Sequence, residues 1–224
     1  MIEELLPDSA VAVETYGDDT PAPLFPEEAA VVARVAEKRR REFTGVRSCA
    51  RRAMEKLGVP RQPVLPGPSG APQWPAGLIG SMTHCDRFHA AALARATDLV
   101  SLGIDAETHE PLPDGVLAYA CVPAEAARLR RLAADRPDIH WDRLLFSAKE
   151  SVYKAWFPLT GQWLDFTEAD IELFTDPGER FTGGLRAELL VPGPIVAGRR
   201  LGTFEGRWTV QGGFLATAVV VPHA

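Results

Sequence analysis

The chain has 224 residues, 46% of them hydrophobic and 24% charged, which is globular composition with material for one sizeable core or two compact halves. A formal net charge of −6 argues against a nucleic-acid partner. Its 3 cysteines, Cys49, Cys85 and Cys121, form no Cys-x-x-Cys pair and cannot all pair within the chain, which fits a reducing compartment and gives no zinc signature.

Met1 to Pro26 reads as a loose opening with one short strand at Val11-Ala12-Val13 and a Pro-rich loop from Gly17. The start is acidic and lacks a basic segment followed by an apolar run. No stretch approaches the roughly 18 apolar residues of a membrane helix. A cytoplasmic protein with no membrane partner is the expectation.

Pro26-Glu27-Glu28 opens helical sequence, with acids where the helix dipole favours them. The pattern extends to Leu57, with a break expected near Ala36–Lys38. Phe43, Val46, Ala50, Ala53 and Leu57 make a buried stripe by their spacing. Opposite it Arg40, Arg47 and Arg51, flanked by Arg39 and Arg52, form a basic face, either solvated or anion-binding. Gly58 and Pro60 stop the helix. Pro60 to Pro75 is a turn-laden loop. Gly77 to Cys85 reads as a strand with Ser81 and Thr83 on one face.

Phe88 to Arg95 and Leu99 to Glu107 read as two further strands around a turn at Ala96-Thr97-Asp98. At the end of the second, Asp105 and Glu107 point the same way, because strand side chains alternate. Two like charges on one face are either a solvated strand end or half of a hard-cation site. Val116 to Ala134 is mostly helical, with Pro123 suited to a first turn. The strongest helical pattern is Trp141 to Phe157, expected to end before Pro158. Leu144, Leu145, Ala148, Val152, Ala155 and Trp156 form its apolar stripe, while Ser147, Glu150 and Lys154 fall on another face. Glu150 and Lys154 have the spacing of a surface ion pair, or of a third metal ligand and a phosphate contact. β-rich sequence follows, ending in a hairpin of Phe204–Val210 and Phe214–Val221 around Gln211-Gly212-Gly213. Two comparable α+β halves, residues 1–101 and 102–224, meet near Ala96–Leu102.

Gly103-Ile104-Asp105-Ala106-Glu107, followed some forty residues later by Phe146-Ser147-Ala148-Lys149-Glu150-Ser151-Val152-Tyr153-Lys154-Ala155, resembles the signature pair of the 4′-phosphopantetheinyl transferases. Arg39 to Arg52 is similar to that family's arginine-bearing helix. Trp74-Pro75 with Gly80-Ser81-Met82-Thr83-His84 is similar to its "WP…GSxTH" segment. The length matches the larger, monomeric Sfp type. The resemblance covers about Lys38 to Pro158 and implies a pseudo-dimer of two similar α+β halves with the active site at their interface. It further implies that Asp105, Glu107 and Glu150, with the Ala106 carbonyl, hold Mg²⁺ (Mn²⁺ being the alternative). Arg39, Arg47 and His84 would hold the 3′-phosphate end of coenzyme A, Thr83 and the loop of Pro66, Gly67 and Ser69 would line the nucleotide, and Lys154 would meet the diphosphate. This chain departs from the family in having no basic residue in Pro66–Gly70.

The implied reaction moves phosphopantetheine from coenzyme A to a serine of an apo acyl or peptidyl carrier protein and releases 3′,5′-ADP. Asp105, Glu150 and Lys154 would be its catalytic residues, with Glu150 the candidate base. The nucleophile then arrives on the partner. Cys85 is not needed, and it faces away from its neighbour His84 on the strand. Two other readings share the carboxylates: a Mg²⁺-dependent hydrolase of phosphoesters or diphosphates, and a non-catalytic module that binds coenzyme A or a carrier.

Overall fold

The computed structural model describes residues 1–17 and 22–223, so the loop expected from Gly17 to Pro26 lies partly outside the described residues. The opening is ordered, contrary to expectation. Ile2 is fully buried, and the Met1 ammonium and the Ile2 N–H donate to the Glu14 carboxylate at 2.9 and 3.0 Å. After a 3-10 turn at Glu3–Leu5, strand β1 spans Ala10–Tyr16, longer than Val11–Val13 because its pairing with Phe88–Ala94 continues to Tyr16 and Ala10 is also drawn into the core.

Helices α1 (Pro26–Val31) and α2 (Glu37–Lys56) are separated at Val32–Ala36, earlier than the break expected from sequence. Arg40 Nη2 donates to the freed Val32 carbonyl at 3.1 Å, which satisfies the end of α1. After α2 come a small hairpin of β2 (Leu65–Pro66) and β3 (Pro72–Gln73), then strands β4 (Leu78–Cys85) and β5 (Phe88–Arg95). An antiparallel sheet has the order β1-β5-β4. Alternation explains why β5 is mostly alanine. Ala91 and Leu93 pack with Cys49, Ala50 and Met54 of α2, whereas Ala90, Ala92 and Ala94 pack against the second sheet. Both faces of β5 are covered, and small side chains let both neighbours come close.

Two arginines of the basic face expected on α2, Arg47 and Arg51, turn inward, while Arg39, Arg40 and Arg52 stay exposed. Arg51 is 2% exposed, and its guanidinium donates to Glu28 Oε2 at 2.7 Å and to the Ala22 and Pro23 carbonyls at 3.0 Å. Glu28, 0% exposed, also accepts from the Val64 N–H at 2.9 Å. This pair ties α1, α2 and the segment before β2 together. Arg51→Ala would strand the buried Glu28 charge and is expected to cost about 3–5 kcal/mol, read from urea unfolding. A loss below about 1 kcal/mol would mean that the pair behaves as an exposed one.

The second half begins with β6 (Leu99–Thr108), so the division expected between residues 101 and 102 falls inside one strand. Helices α3 (Val116–Ala120), α4 (Pro123–Asp135) and α5 (Trp141–Thr160) follow. The remaining strands are β7 (Ala169–Thr175), β8 (Thr182–Leu189), β9 (Ile195–Val196), β10 (Arg199–Arg200), β11 (Thr203–Gln211) and β12 (Phe214–Pro222). A five-stranded antiparallel sheet has the order β6-β12-β11-β8-β7, and β9 pairs with β10. The apolar stripe of α5 packs on this sheet around Trp208 and Leu215.

Pro158 does not stop α5. Its missing N–H falls in the last turn, where a single bond is lost. The helix ends at Gly161, whose φ is +64° and whose N–H donates to the Phe157 carbonyl at 2.8 Å. The result is an α+β molecule in which each of the two larger sheets carries one 20-residue helix.

Candidate active site

The site is built where β6, β4 and α5 converge. Gly103 sets the spacing of β6 and α5. A Cβ there would lie 2.1 Å from the Ser151 carbonyl oxygen and 2.6 Å from the Ala155 nitrogen, so the two backbones touch. Hydroxyls fasten the contact. Ser101 donates to the Ala155 carbonyl at 2.8 Å. Thr217 of β12, directly opposite Asp105 in register, donates to the Ser147 carbonyl at 2.9 Å. Ser151 meets both the hydroxyl and the carbonyl oxygen of Thr217. Ser147, expected on the face of Glu150 and Lys154, is therefore fully buried under β12. Glu150 lies in the turn of α5 between these two anchored serines.

β4 and β6 form no backbone ladder, and the hydroxyls expected on one face of β4 fill that gap. Ser81 Oγ accepts from the Ile104 N–H at 3.1 Å, and Thr83 Oγ1 accepts from the Ala106 N–H at 3.2 Å. Thr83 also donates to Asp105 Oδ1 at 3.1 Å. Lys154 Nζ donates to the same oxygen at 2.7 Å. Of the two readings of Glu150 and Lys154, the surface ion pair does not form: Lys154 pairs with Asp105 instead. The lysine turns to the more deeply buried carboxylate, whose Oδ2 is buried with no hydrogen-bond partner. The Glu150 carboxylate accepts no hydrogen bond among the described residues.

Glu107 meets Arg143, whose Nη1 donates to Oε2 at 2.9 Å while its other nitrogens donate to the Glu110 and Pro111 carbonyls. Sequence reasoning missed Arg143, although it precedes Glu150 by seven residues and so shares its helical face. Burial raises the Glu107 carboxyl and Asp105 adds to the shift, against the lowering by Arg143 and Lys154. Burial also raises Glu150, with Lys154 opposing and with Asp105 and Glu107 contributing. Among the described residues, no group of three His, Cys, Asp or Glu side chains is already gathered around a metal position. Lys154 and Arg143 hold two of the three carboxylates instead.

Lys149, next to Glu150, points away from this cluster. It is 3% exposed, and it meets Glu125 at 2.8 Å and the Phe166 and Ala169 carbonyls. It locks α5 to α4 and the start of β7. Cys85 is unsuited to nucleophilic work: burial, with Glu107 and Asp105 nearby, pushes its thiol up to about 12.

A cleft of about 1360 Å³ lies between α2, the β4–β5 turn and the end of β6, and reaches Glu107. That is larger than the roughly 300–1,000 Å³ of common small-molecule sites. Lys38, Arg41, Arg51, Arg52, Arg61 and Arg87 are in its walls against the acids Glu42, Asp86 and Glu107, so it favours an anionic guest. His84 and His89, directly opposite each other on β4 and β5, line it too. Arg39 Nη1 lies 2.9 Å from His84 Nε2 and 3.4 Å from Glu42 Oε2. Burial lowers His84, and Arg39 adds to the shift while Glu42 opposes it.

Two expected nucleotide contacts lie elsewhere. Arg47 is 6% exposed, stacked 3.3 Å from the Phe43 ring centre, with Nε donating to the Val64 carbonyl. Burial lowers it to about 10. Pro66, Gly67 and Ser69 belong to the β2–β3 hairpin and its turn, and none of the three is a wall of the cleft. Ala106 is fully buried in β6.

Comparison with known proteins identifies the family of the chain. A family model described as the 4′-phosphopantetheinyl transferase N-terminal domain matches residues 27–94, and one described as the 4′-phosphopantetheinyl transferase superfamily matches residues 101–191. The chain is 58% identical to 4′-phosphopantetheinyl transferase Svp of Streptomyces mobaraensis, over 99% of this chain and 89% of that protein. It is 46% identical to PptT of Mycobacterium tuberculosis, over 93% and 90% of the two chains, and 44% identical to Npt of Nocardia iowensis, over 98% and 99%. With identities this high over nearly whole chains, the protein belongs to the 4′-phosphopantetheinyl transferase superfamily and is an enzyme of that class.

Proposed function

We propose that the enzyme takes phosphopantetheine from coenzyme A and attaches it to a serine hydroxyl of an apo acyl or peptidyl carrier protein, releasing 3′,5′-ADP with help from a divalent cation such as Mg²⁺. The observation that carries this reading is Asp105 Oδ2, a buried carboxylate oxygen without a partner, close to two carboxyls that burial and mutual repulsion raise. Such a cluster fits a hard cation. Asp105, Glu107 and Glu150, with the Ala106 carbonyl, would hold it, and when bound it would withdraw charge from the diphosphate.

The chain's own residues divide the remaining tasks. The basic cleft receives the nucleotide end of coenzyme A, with Arg39 and His84 at the 3′-phosphate. Its width lets Lys38, Arg41 and Arg61 take anionic contacts that sequence reasoning had given to Arg47. Glu150 accepts the serine proton as the serine oxygen bonds to the phosphorus attached to pantetheine. A raised carboxyl is the better base of its kind. The bond between that phosphorus and the bridging oxygen breaks, and Lys154 faces the charge that develops on the departing 3′,5′-ADP. Among the described residues, no helix is long and apolar enough to cross a membrane.

The test is incubation with coenzyme A, Mg²⁺ and a panel of apo carrier proteins, read by intact mass and by 3′,5′-ADP release. Equimolar 3′,5′-ADP and carrier-bound phosphopantetheine is the expected result. Phosphate release from nucleotides without carrier modification would reject the proposal.

A further inference from the structure

We propose that Thr83 is a positioning residue for Asp105 and not a nucleotide contact: with Lys154 it holds Asp105 by Oδ1 and leaves Oδ2 free for a divalent cation. The inference rests on the cation reading above and adds to it the residue that decides which oxygen is offered.

A threonine hydroxyl has one proton. In Thr83 that proton goes to Asp105 Oδ1, and the oxygen accepts from the Ala106 N–H one residue further along β6. Thr83 is 4% exposed, so water does not compete for either bond. Donation to a nucleotide phosphate would require it to release Asp105. Lys154 Nζ approaches the same Oδ1, so both donors fall on one oxygen and neither on the other. Asp105 is 5% exposed, and a buried carboxylate oxygen left unpaired is costly unless it receives a cation. The clamp also explains why the hydroxyls come from β4. The Ile104 and Ala106 N–H groups point from β6 towards a strand with which β6 forms no ladder, and Ser81 and Thr83 satisfy them one each. Ser81 makes the structural half of this contact without touching Asp105, which separates the two roles.

The experiment compares the parent protein with Thr83→Val, Thr83→Ser and Ser81→Ala in two binding measurements that need no turnover. One is binding of Mn²⁺ alone, by electron paramagnetic resonance. The other is calorimetric binding of coenzyme A in EDTA. Thr83→Val is expected to weaken Mn²⁺ binding by about 10-fold or more, the usual effect of losing a group that orients a ligand. Thr83→Ser should restore it, and Ser81→Ala should keep parental Mn²⁺ affinity while losing stability. Coenzyme A affinity in EDTA should be unchanged in all three. If Thr83→Val does not fold, Thr83→Ala removes the same hydroxyl without adding a branch and must show the same pattern. Loss of coenzyme A affinity in EDTA with Mn²⁺ binding kept would overturn the proposal in favour of a nucleotide contact. Unchanged Mn²⁺ affinity would overturn the positioning role alone. Failure of the parent protein to bind Mn²⁺ would overturn the cation reading beneath it.

Discussion

Glu150→Gln is expected to lower carrier modification by about 10²–10⁴-fold, the range of a lost general base, and at the same time to make the resting protein more stable. The first effect follows from its carboxylate, which accepts no hydrogen bond among the described residues and lies within the electrostatic reach of Asp105. The second follows from the direction of its titration. Burial and the neighbouring carboxylates raise the Glu150 carboxyl above its unfolded value. The fold therefore favours the protonated form. That contribution is complete below the unfolded pKa and is lost as pH rises through the folded one. Glutamine is neutral throughout, so the variant's gain in Tm should be present near about pH 8 and absent near about pH 4. The parent enzyme should lose rate on the acid side as Glu150 takes up its proton. Both measurements use the protein without coenzyme A or metal for Tm, and with saturating substrates for rate. A variant keeping more than about a tenth of the parental rate would be incompatible with the base assignment.

Gly103→Ala is the second large effect. The added methyl would sit 2.1 Å from the Ser151 oxygen and 2.6 Å from the Ala155 nitrogen, both backbone atoms of α5 that cannot rotate away. β6 and α5 must separate, at a cost of about 1–3 kcal/mol for overpacking. A functional effect is added to the structural one, because Asp105 lies on one of these elements and Glu150 and Lys154 on the other. A displacement near 1 Å between reacting groups costs on the order of 10²-fold in rate. Coenzyme A affinity should change little, since the cleft is walled mainly by α2 and the β4–β5 turn. Transfer at parental speed would show that the β6–α5 spacing does not control the chemistry.

The parts of this site that sequence revealed are those fixed by local period. Alternation alone placed Asp105 and Glu107 on one side of β6, and Ser81 with Thr83 on one side of β4. A 3.6-residue period separated Glu150 and Lys154 from the apolar stripe of α5. The parts that stayed hidden depend on distant chain segments. Nothing local to Arg47 and Arg51 says that Glu28 and Val64 will cover them, so a buried arginine pair looked like a basic surface. Lys149 and Lys154 look alike in sequence, yet Glu125, 24 residues before Lys149 by their numbering, takes one inward while Asp105 takes the other. Glu14 similarly anchors Met1 and Ile2 into a segment whose composition suggested a loop. The partner of Thr83 was unreadable for the same reason: its face could be deduced, but not that β6 would lie against it.

The most direct test of the central claim, that the β6–α5 junction is a cation site serving the coenzyme A cleft, is anomalous diffraction from crystals grown with coenzyme A and Mn²⁺. One strong manganese peak is expected between Asp105 Oδ2 and the Glu150 carboxylate, touching the diphosphate, with the nucleotide end in the cleft beside His84. A peak elsewhere, or coenzyme A bound with its diphosphate away from Asp105 and Lys154, would contradict it.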